Sequence, residues 1–129
     1  MAKNNRSPLI LLADDEPNIL LALEFLLQRE GYRVEKAFNG LEAIEKAMAL
    51  KPDVLVLDVM MPGMDGYEAA KKIRQHPDLE KTCIVFLTAK GTEQDRRRGY
   101  STGGEYYLVK PFDNEYFVET IREILDFGR

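Results

Sequence analysis

The chain has 129 residues, 45% of them hydrophobic and 31% charged, with a formal net charge of −4. This composition excludes a disordered chain and a membrane-spanning one, because no apolar run approaches the roughly 18 residues that cross a bilayer. The single cysteine, Cys83, excludes an internal disulfide, and the negative charge provides no general attraction to nucleic acid. We expect a flexible N-terminal segment (1–8) without a signal peptide, one domain (9–127) and a cytoplasmic location.

Short apolar runs alternate with amphipathic segments along the chain. We predict strands over residues 9–13, 32–38, 54–58, 82–89 and 106–110. We predict helices over residues 17–30, 40–50, 65–75 and 92–102, and a last helix after residue 113. Pro17 suits a first helical turn, and Asn39, Asp65 and Asp113 suit caps. Glu68 follows Asp65 at the spacing of a capping box.

Apolar residues at helical spacing predict the faces that turn toward the core. In the first helix we place Ile19, Leu20, Leu23, Phe25, Leu26 and Leu27 on that face. In the second helix we place Leu41, Ile44, Ala47 and Met48 there, and in the last helix Phe117, Ile121, Ile124 and Leu125.

The strict alternation of strands and helices predicts an α/β fold. We expect a single doubly wound (βα)5 domain, with a five-stranded parallel sheet between layers of helices. Such sheets bind their ligands beyond the carboxyl ends of the strands, where the strand order reverses. The second strand ends in the apolar Phe38, as expected of an outer strand that lies away from this position.

The other strand ends carry charged or hydroxyl groups. Asp14 and Asp15 follow the first strand, Asp58 ends the third, Thr88 closes the fourth and Lys110 closes the fifth. Three carboxylates against one ammonium leave a formal charge that one divalent cation neutralises. Because the available ligands are oxygens, Mg²⁺ is the expected metal. Each residue alone is explained by an ordinary cap or loop position, but the joint pattern at successive strand ends favours a common site.

This set of side chains suits phosphoryl transfer. Asp58 can attack a phosphoryl group and form an acyl phosphate. Mg²⁺ and Lys110 would neutralise charge on the phosphoryl oxygens, and Thr88 would donate a hydrogen bond to one of them.

Four segments resemble the receiver domain of two-component response regulators: LLADDEPNI, VLVLDVMMPGMDGYE, VFLTAK and YYLVKPF. The resemblance covers nearly the whole chain and implies a flavodoxin-like strand order, 2-1-3-4-5. It also implies that Asp58 accepts a phosphoryl group from a histidine kinase or a histidine phosphotransfer protein. The chain would then be a phosphoacceptor that assists its own phosphorylation and dephosphorylation, rather than an enzyme with a separate substrate.

The same resemblance implies a role for each matching residue. The implied magnesium ligands are Asp14 (largely through a water), Asp15, Asp58 and the backbone carbonyl of Met60. The implied phosphate-binding and switch residues are Thr88, the backbone of Ala89, Lys110 and Tyr107. Lys110-Pro111 resembles the family's cis peptide bond. The expected switched surface is the fourth helix, fifth strand and fifth helix, which would bind a downstream protein or a second copy of the domain.

Two features depart from the usual family pattern. The family usually has alanine at the position of Gly104, and often an acidic residue at that of Tyr106.

Residues 90–105 contain no aliphatic side chain and no phenylalanine, and they leave Tyr100 as the expected anchor of the fourth helix. We therefore predict that this helix is the least stable element of the domain, and that phosphorylation changes its order or position.

Two other functions compete with the phosphoacceptor. One is a Mg²⁺-dependent phosphatase with an aspartyl nucleophile; such enzymes need an acid two residues after the nucleophile, where this chain has Met60. The other is a receiver-like binding module that never accepts phosphate. The sequence also leaves open whether the domain acts alone or belongs to a larger protein.

Overall fold

The computed structural model describes residues 7–127. Residues 1–6 of the predicted N-terminal segment lie outside this range. The backbone carbonyls of Ser7 and Pro8 accept hydrogen bonds from the side chain and backbone of Arg33, each at 2.9 Å. None of the helices within residues 7–127 has both the length and the apolar character needed to cross a membrane.

Five strands alternate with five α-helices, as the sequence predicts. The strands are β1 Leu9–Ala13, β2 Arg33–Ala37, β3 Val54–Asp58, β4 Cys83–Thr88 and β5 Tyr106–Val109. The helices are α1 Pro17–Arg29, α2 Gly40–Leu50, α3 Gly66–Ile73, α4 Glu93–Ser101 and α5 Asn114–Phe127, with a short 3₁₀ turn at Pro77–Leu79. Most predicted ends extend one or two residues too far, because terminal residues at helix and strand ends lose part of the regular hydrogen bonding.

All strand pairs are parallel, and the sheet order is β2-β1-β3-β4-β5. The predicted fold class and strand order are therefore confirmed. The order reverses between β1 and β3, where Ala13 pairs with Leu57. The residues that follow these two, Asp14 and Asp58, consequently lie beside each other at the carboxyl edge of the sheet.

Helices cover both faces of the sheet, and each face has its own core. On one face, α1 contributes Leu20, Leu23 and Leu27, and α5 packs beside it. On the other face, α2 and α3 pack against β1, β3 and β4 through small residues such as Ala43 and Ala70. Every residue of β1, β3 and β4 is buried, whereas β2 alternates between exposed and half-buried positions before Ala37, as an edge strand does.

The predicted caps are present. The Asn39 side chain accepts a hydrogen bond from the backbone of Glu42 at 2.8 Å. Asp65 and Glu68 form the complete capping box at the start of α3. Asp113 Oδ2 accepts from the backbone of Tyr116 at 3.1 Å, next to the start of α5. These caps satisfy helix amides that would otherwise lack partners.

The predicted inward faces of α1 and α2 were wrong at three residues. Phe25 is 60% exposed, Leu41 58% and Met48 43%. In α1 the sheet contacts a narrow stripe of leucines, and Phe25 projects beyond it. In α2 the close contacts are made by alanines, which bring the helix near the sheet and leave the longer side chains at its margin.

Candidate functional site

The fold brings three carboxylates together at the carboxyl edge of the sheet. One oxygen each from Asp14, Asp15 and Asp58 can be chosen so that all lie within 4.8 Å of one another. We call these residues the acidic cluster. Lys110, which follows β5, reaches across the edge, and its Nζ lies 3.4 Å from Asp58 Oδ1 and 3.5 Å from Asp14 Oδ2. The sequence expectation that these four residues meet is thus correct as geometry.

Burial opposes the charge of two members of the acidic cluster. Asp14 is 1% exposed and Asp58 4% exposed. Burial, followed by repulsion from Asp14, raises the pKa of Asp58 from 3.8 to about 6, although the Lys110 ammonium lowers it. Burial also raises the pKa of Asp14. The ammonium therefore compensates only part of the crowded negative charge.

The acidic cluster has the properties of a site for a divalent cation. Asp14 Oδ1 accepts a hydrogen bond from the backbone of Glu16 at 2.9 Å. Asp14 Oδ2 is buried and receives no hydrogen bond, even though the Lys110 ammonium is close. A buried carboxylate oxygen without a donor is costly, and a hard cation removes that cost. The donor set contains only oxygens, which fits Mg²⁺.

Thr88 lies at the end of β4, next to the third and fifth strands. It is fully buried, and its hydroxyl oxygen accepts a hydrogen bond from the backbone of Lys90 at 3.0 Å. Its carbonyl accepts from the backbone of Lys110 at 2.7 Å. Lys110-Pro111 is a cis peptide bond, as the family resemblance implies. These backbone bonds fix where the threonine hydroxyl and the ammonium stand relative to the sheet edge.

The loop between β3 and α3 returns directly over the end of β3. The Gly66 backbone donates to the carbonyl of Val59 at 2.9 Å. A Cβ at Gly66 would lie 2.5 Å from the carbonyl oxygen of Asp58. Only glycine permits this approach, so α3 begins in contact with the backbone of Asp58.

Tyr107 of β5 is 6% exposed and points inward beneath α4. Its hydroxyl donates to the carbonyl of Lys90 at 2.9 Å and lies 2.7 Å from the hydroxyl of Tyr67. Sequence reasoning identified Tyr107 but missed Tyr67. The available signal for Tyr67 was its place in the first turn of α3, a helix that a capping box sets against the end of β3.

A groove of about 510 Å³ opens beside the acidic cluster. It lies between the loop after β3 and the beginning of α4, and Met60, at its wall, is 55% exposed. The lining residues that carry charge or a hydroxyl are Asp15, Asp65, Tyr67, Lys90 and Arg98. Asp15 is the member of the acidic cluster that lines this groove.

Comparison with known proteins agrees with this geometry. The family model for the response regulator receiver domain matches residues 10–122. The transcriptional regulatory protein ResD of Bacillus subtilis is 41% identical over 116 residues, covering 90% of this chain and 47% of ResD. The phosphate regulon regulator PhoB of Rhizobium meliloti is 36% identical over 118 residues, covering 92% of this chain and 52% of PhoB. The chain thus spans about half the length of these relatives.

A solved structure of similar size shares the fold. The chemotaxis response regulator CheY4 of Vibrio cholerae superposes with a TM-score of 0.87 at 34% identity, covering 92% of this chain and 98% of CheY4. Family match, sequence identity and fold agree with one another. The chain belongs to the receiver domains of two-component response regulators, which act as phosphoacceptors in signal transduction.

Proposed function

We propose that Asp58 is the residue that accepts the phosphoryl group, from a histidine kinase or a histidine phosphotransfer protein. A carboxylate oxygen of Asp58 forms a bond to phosphorus while the bond from phosphorus to the donor's imidazole nitrogen breaks. The product is an acyl phosphate. The observation that carries the proposal is the 3.4 Å approach of the Lys110 ammonium to Asp58 Oδ1 within a buried acidic cluster.

The three carboxylates differ in their contacts and in their exposure to solvent. Asp14 holds the loop after β1 through its bond to the Glu16 backbone, and Asp15 is exposed. Asp58 ends a fully buried strand and contacts a cation. Asp14 shares this counter-charge, with Lys110 Nζ 3.5 Å from its Oδ2, but its Oδ1 already holds the Glu16 backbone. Asp58 has both the fixed position and the counter-charge that a nucleophile toward an anionic phosphoryl group needs.

The same proposal assigns the metal ligands. Asp14, Asp15, Asp58 and the backbone carbonyl of Met60 would hold Mg²⁺, with Asp14 acting largely through a water. When bound, the cation supplies charge neutralisation at the phosphoryl oxygens. The support is the all-oxygen donor set and the buried Asp14 oxygen that receives no hydrogen bond.

Phosphorylation would add roughly one negative charge at Asp58. Lys110 is the cation that would neutralise this charge, and the Thr88 hydroxyl and the Ala89 backbone amide are the neighbouring hydrogen-bond donors. Thr88 currently accepts from the backbone of Lys90, whose carbonyl accepts from Tyr107. A turn of the Thr88 hydroxyl toward a phosphoryl oxygen therefore alters the contact that holds Tyr107, and this is the proposed route to α4.

The proposed readout surface consists of α4, β5 and α5. It would bind a downstream protein or a second copy of the domain in a phosphorylation-dependent manner, and we place this exchange in the cytoplasm. ResD and PhoB are named as transcriptional regulators and are about twice as long, so their outputs are not transferred to this chain. Direct binding of nucleic acid or membrane is not part of the proposal.

Intact-mass measurement after incubation with a small phosphodonor and Mg²⁺ tests the proposal. The wild-type domain gains one phosphoryl group, and Asp58→Asn gains none. Asp78→Asn is the matched control, since Asp78 is an exposed aspartate on the 3₁₀ turn, and this variant remains a phosphoacceptor.

Intact mass, together with an assay of phosphate released from phosphate monoesters, separates the competing functions. Repeated turnover of phosphate monoesters would identify an aspartyl phosphatase, although Met60 stands where such enzymes carry an acid. Unmodified wild type would identify a receiver-like module that acts only by binding. Repeated turnover would refute the signalling role and leave Asp58 as an enzyme's nucleophile, whereas an unmodified wild type would refute the assignment of Asp58 as the phosphoacceptor.

A further inference from the structure

Helix α4 lacks the apolar face that normally holds a helix in place. Its buried residue is Gly99, whereas Tyr100, the anchor expected from the sequence, is 49% exposed. A Cβ at Gly99 would lie 2.9 Å from the ring of Tyr107 and 3.1 Å from that of Phe86. The helix backbone thus rests directly on aromatic rings that belong to other elements. What holds α4 must come largely from those elements.

Two tyrosines supply polar contacts to α4 and to the loop before it, which contains Lys90. The Tyr67 hydroxyl oxygen lies 3.2 Å from the backbone carbonyl oxygen of Asp95, and the Tyr107 hydroxyl oxygen lies 2.9 Å from that of Lys90, each within hydrogen-bond distance. The two hydroxyl oxygens lie 2.7 Å apart. We call Tyr67 and Tyr107 the tyrosine pair. One member begins α3 and the other belongs to β5, so the pair connects α4 with both sides of the phosphoacceptor site.

Two arginines of α4 reinforce these contacts. The Arg98 guanidinium lies 4.6 Å from the centre of the Tyr67 ring, and the Arg96 guanidinium 5.4 Å from that of Tyr107. A cation over an aromatic face is attracted to it. The tyrosine pair therefore supplies the main contacts that hold this otherwise polar helix against the rest of the domain.

Counting protons shows that the tyrosine pair cannot make all three hydrogen bonds at once. Each hydroxyl carries one proton, whereas two carbonyls and the contact between the hydroxyls need three. In one arrangement Tyr107 donates to Lys90 and Tyr67 donates to Tyr107. In the other, Tyr67 donates to Asp95 and Tyr107 donates to Tyr67. The distances, 2.9 Å to Lys90 and 3.2 Å to Asp95, favour the first.

Lys90 and Tyr67 are connected to different sides of the phosphoacceptor site. Lys90 is tied to Thr88 by its backbone amide. Tyr67 follows Gly66, which is hydrogen-bonded to Val59 beside Asp58. Movement of either connection changes which carbonyl the tyrosine pair can serve.

We propose that Tyr67 is a positioning residue that sets the hydroxyl of Tyr107, so that the tyrosine pair changes between the Lys90 and Asp95 carbonyls and moves α4 when Asp58 is phosphorylated. This inference rests on the proposed function of Asp58. The tyrosine pair has two discrete hydrogen-bonding arrangements, which is what a two-state switch requires.

The test is amide hydrogen exchange of α4 in Mg²⁺ alone and in Mg²⁺ with beryllium fluoride, a phosphoryl analogue. Tyr67→Phe keeps the ring and removes the hydroxyl. We expect α4 amides of this variant to exchange about fivefold faster, because the hydrogen bond from Tyr67 that fixes the Tyr107 hydroxyl beneath α4 is lost. The second value is the ratio of α4 exchange rates between Mg²⁺ alone and Mg²⁺ with beryllium fluoride. We expect Tyr67→Phe to change this ratio to less than half its wild-type value. Tyr100→Phe, on the exposed side of α4, is the matched control and keeps both values.

The ratio separates positioning from simple support. A purely structural Tyr67 would raise exchange equally in both conditions and leave the ratio at its wild-type value, which overturns the inference. Tyr107→Phe is the second variant; it must also reduce the ratio, and the double variant must reduce it no further than the stronger single one. Additive effects would overturn the inference as well.

Labelling of Asp58 by a small phosphodonor is measured on the same samples. If wild type and Tyr67→Phe are labelled alike and the α4 ratio is unchanged, the inference fails while the proposed function stands. If wild type is not labelled, the proposed function fails and this inference fails with it.

Discussion

Replacing Asp58 by asparagine in the metal-free domain removes a charge that burial and Asp14 both oppose. The pKa of Asp58 rises from 3.8 to about 6, which at about 1.36 kcal/mol per pH unit corresponds to about 3 kcal/mol between its charged and neutral forms. Asparagine loses part of the hydrogen bonding from Lys110 and the Met60 backbone. We therefore expect Asp58→Asn to raise the free energy of unfolding by about 2 kcal/mol at pH 7.5.

Lys110 does not become an unpaired buried charge in this variant. Its Nζ still lies 3.5 Å from Asp14 Oδ2, and the side chain is 25% exposed. The usual cost of breaking a buried ion pair by removing one partner is therefore small here.

The sign of the pH dependence follows from the raised pKa of Asp58. Between about pH 4 and 6 the folded protein holds a proton on Asp58 that the unfolded chain has released. The stability contributed by that proton is present below about pH 4 and is lost as the pH rises through about 6. The advantage of Asp58→Asn over wild type should consequently grow across this window and level off above it.

Urea titrations of both proteins in EDTA, from pH 4 to pH 8, measure this difference. Adding Mg²⁺ should stabilise wild type and leave Asp58→Asn with less of the gain, because the variant has lost one ligand charge. A variant that is less stable than wild type at pH 7.5 in EDTA, or a difference that does not change with pH, would refute the charge-crowding argument.

Other contacts lead to three further predictions. Gly104→Ala should destabilise the domain by about 1–3 kcal/mol in urea, because its Cβ would lie 2.2 Å from Phe86. Adding Phe86→Leu should recover part of this loss. Equal stability of Gly104→Ala and wild type would contradict the prediction. Lys110→Met should raise the pKa of Asp58 above about 6, because the nearby cation is lost. Carboxyl NMR measures this pKa, and an unchanged value would show that the Lys110 ammonium does not affect Asp58. Amides of α4 should exchange faster than those of β3, since Gly99 is the buried residue of α4; equal protection would disprove its low stability.

Much of the fold could be predicted because local signals and topology agree. Helix α2 matches its predicted limits, since Asn39 caps one end and Pro52 follows the other. The carboxyl ends of parallel strands share one edge, so the alternation of strands and helices placed Asp14, Asp58 and Lys110 at one edge of the sheet, and the strand order implied by the family resemblance placed them near one another. Phe25 could not be placed correctly, because helical periodicity locates an apolar face but not how much of it the sheet covers.

The features missed by sequence reasoning depend on side-chain packing between distant segments. Tyr67 and Tyr107 are 40 residues apart, and their hydroxyl contact requires both rings to turn beneath α4. Phe86 occupies the space that an alanine at position 104 would need, so the departure at Gly104 has a local steric reason. Such complementarity is decided by rotamers and volumes rather than by the pattern of polar and apolar residues.

Reductive trapping of the phosphorylated domain tests the central claim most directly. Borohydride converts the acyl phosphate of an aspartate to homoserine, and peptide mass mapping then locates the converted residue. We expect homoserine at position 58, in amounts that fall to background when EDTA replaces Mg²⁺. Conversion at Asp14 or Asp15 in place of Asp58, or undiminished conversion in EDTA, would contradict the account.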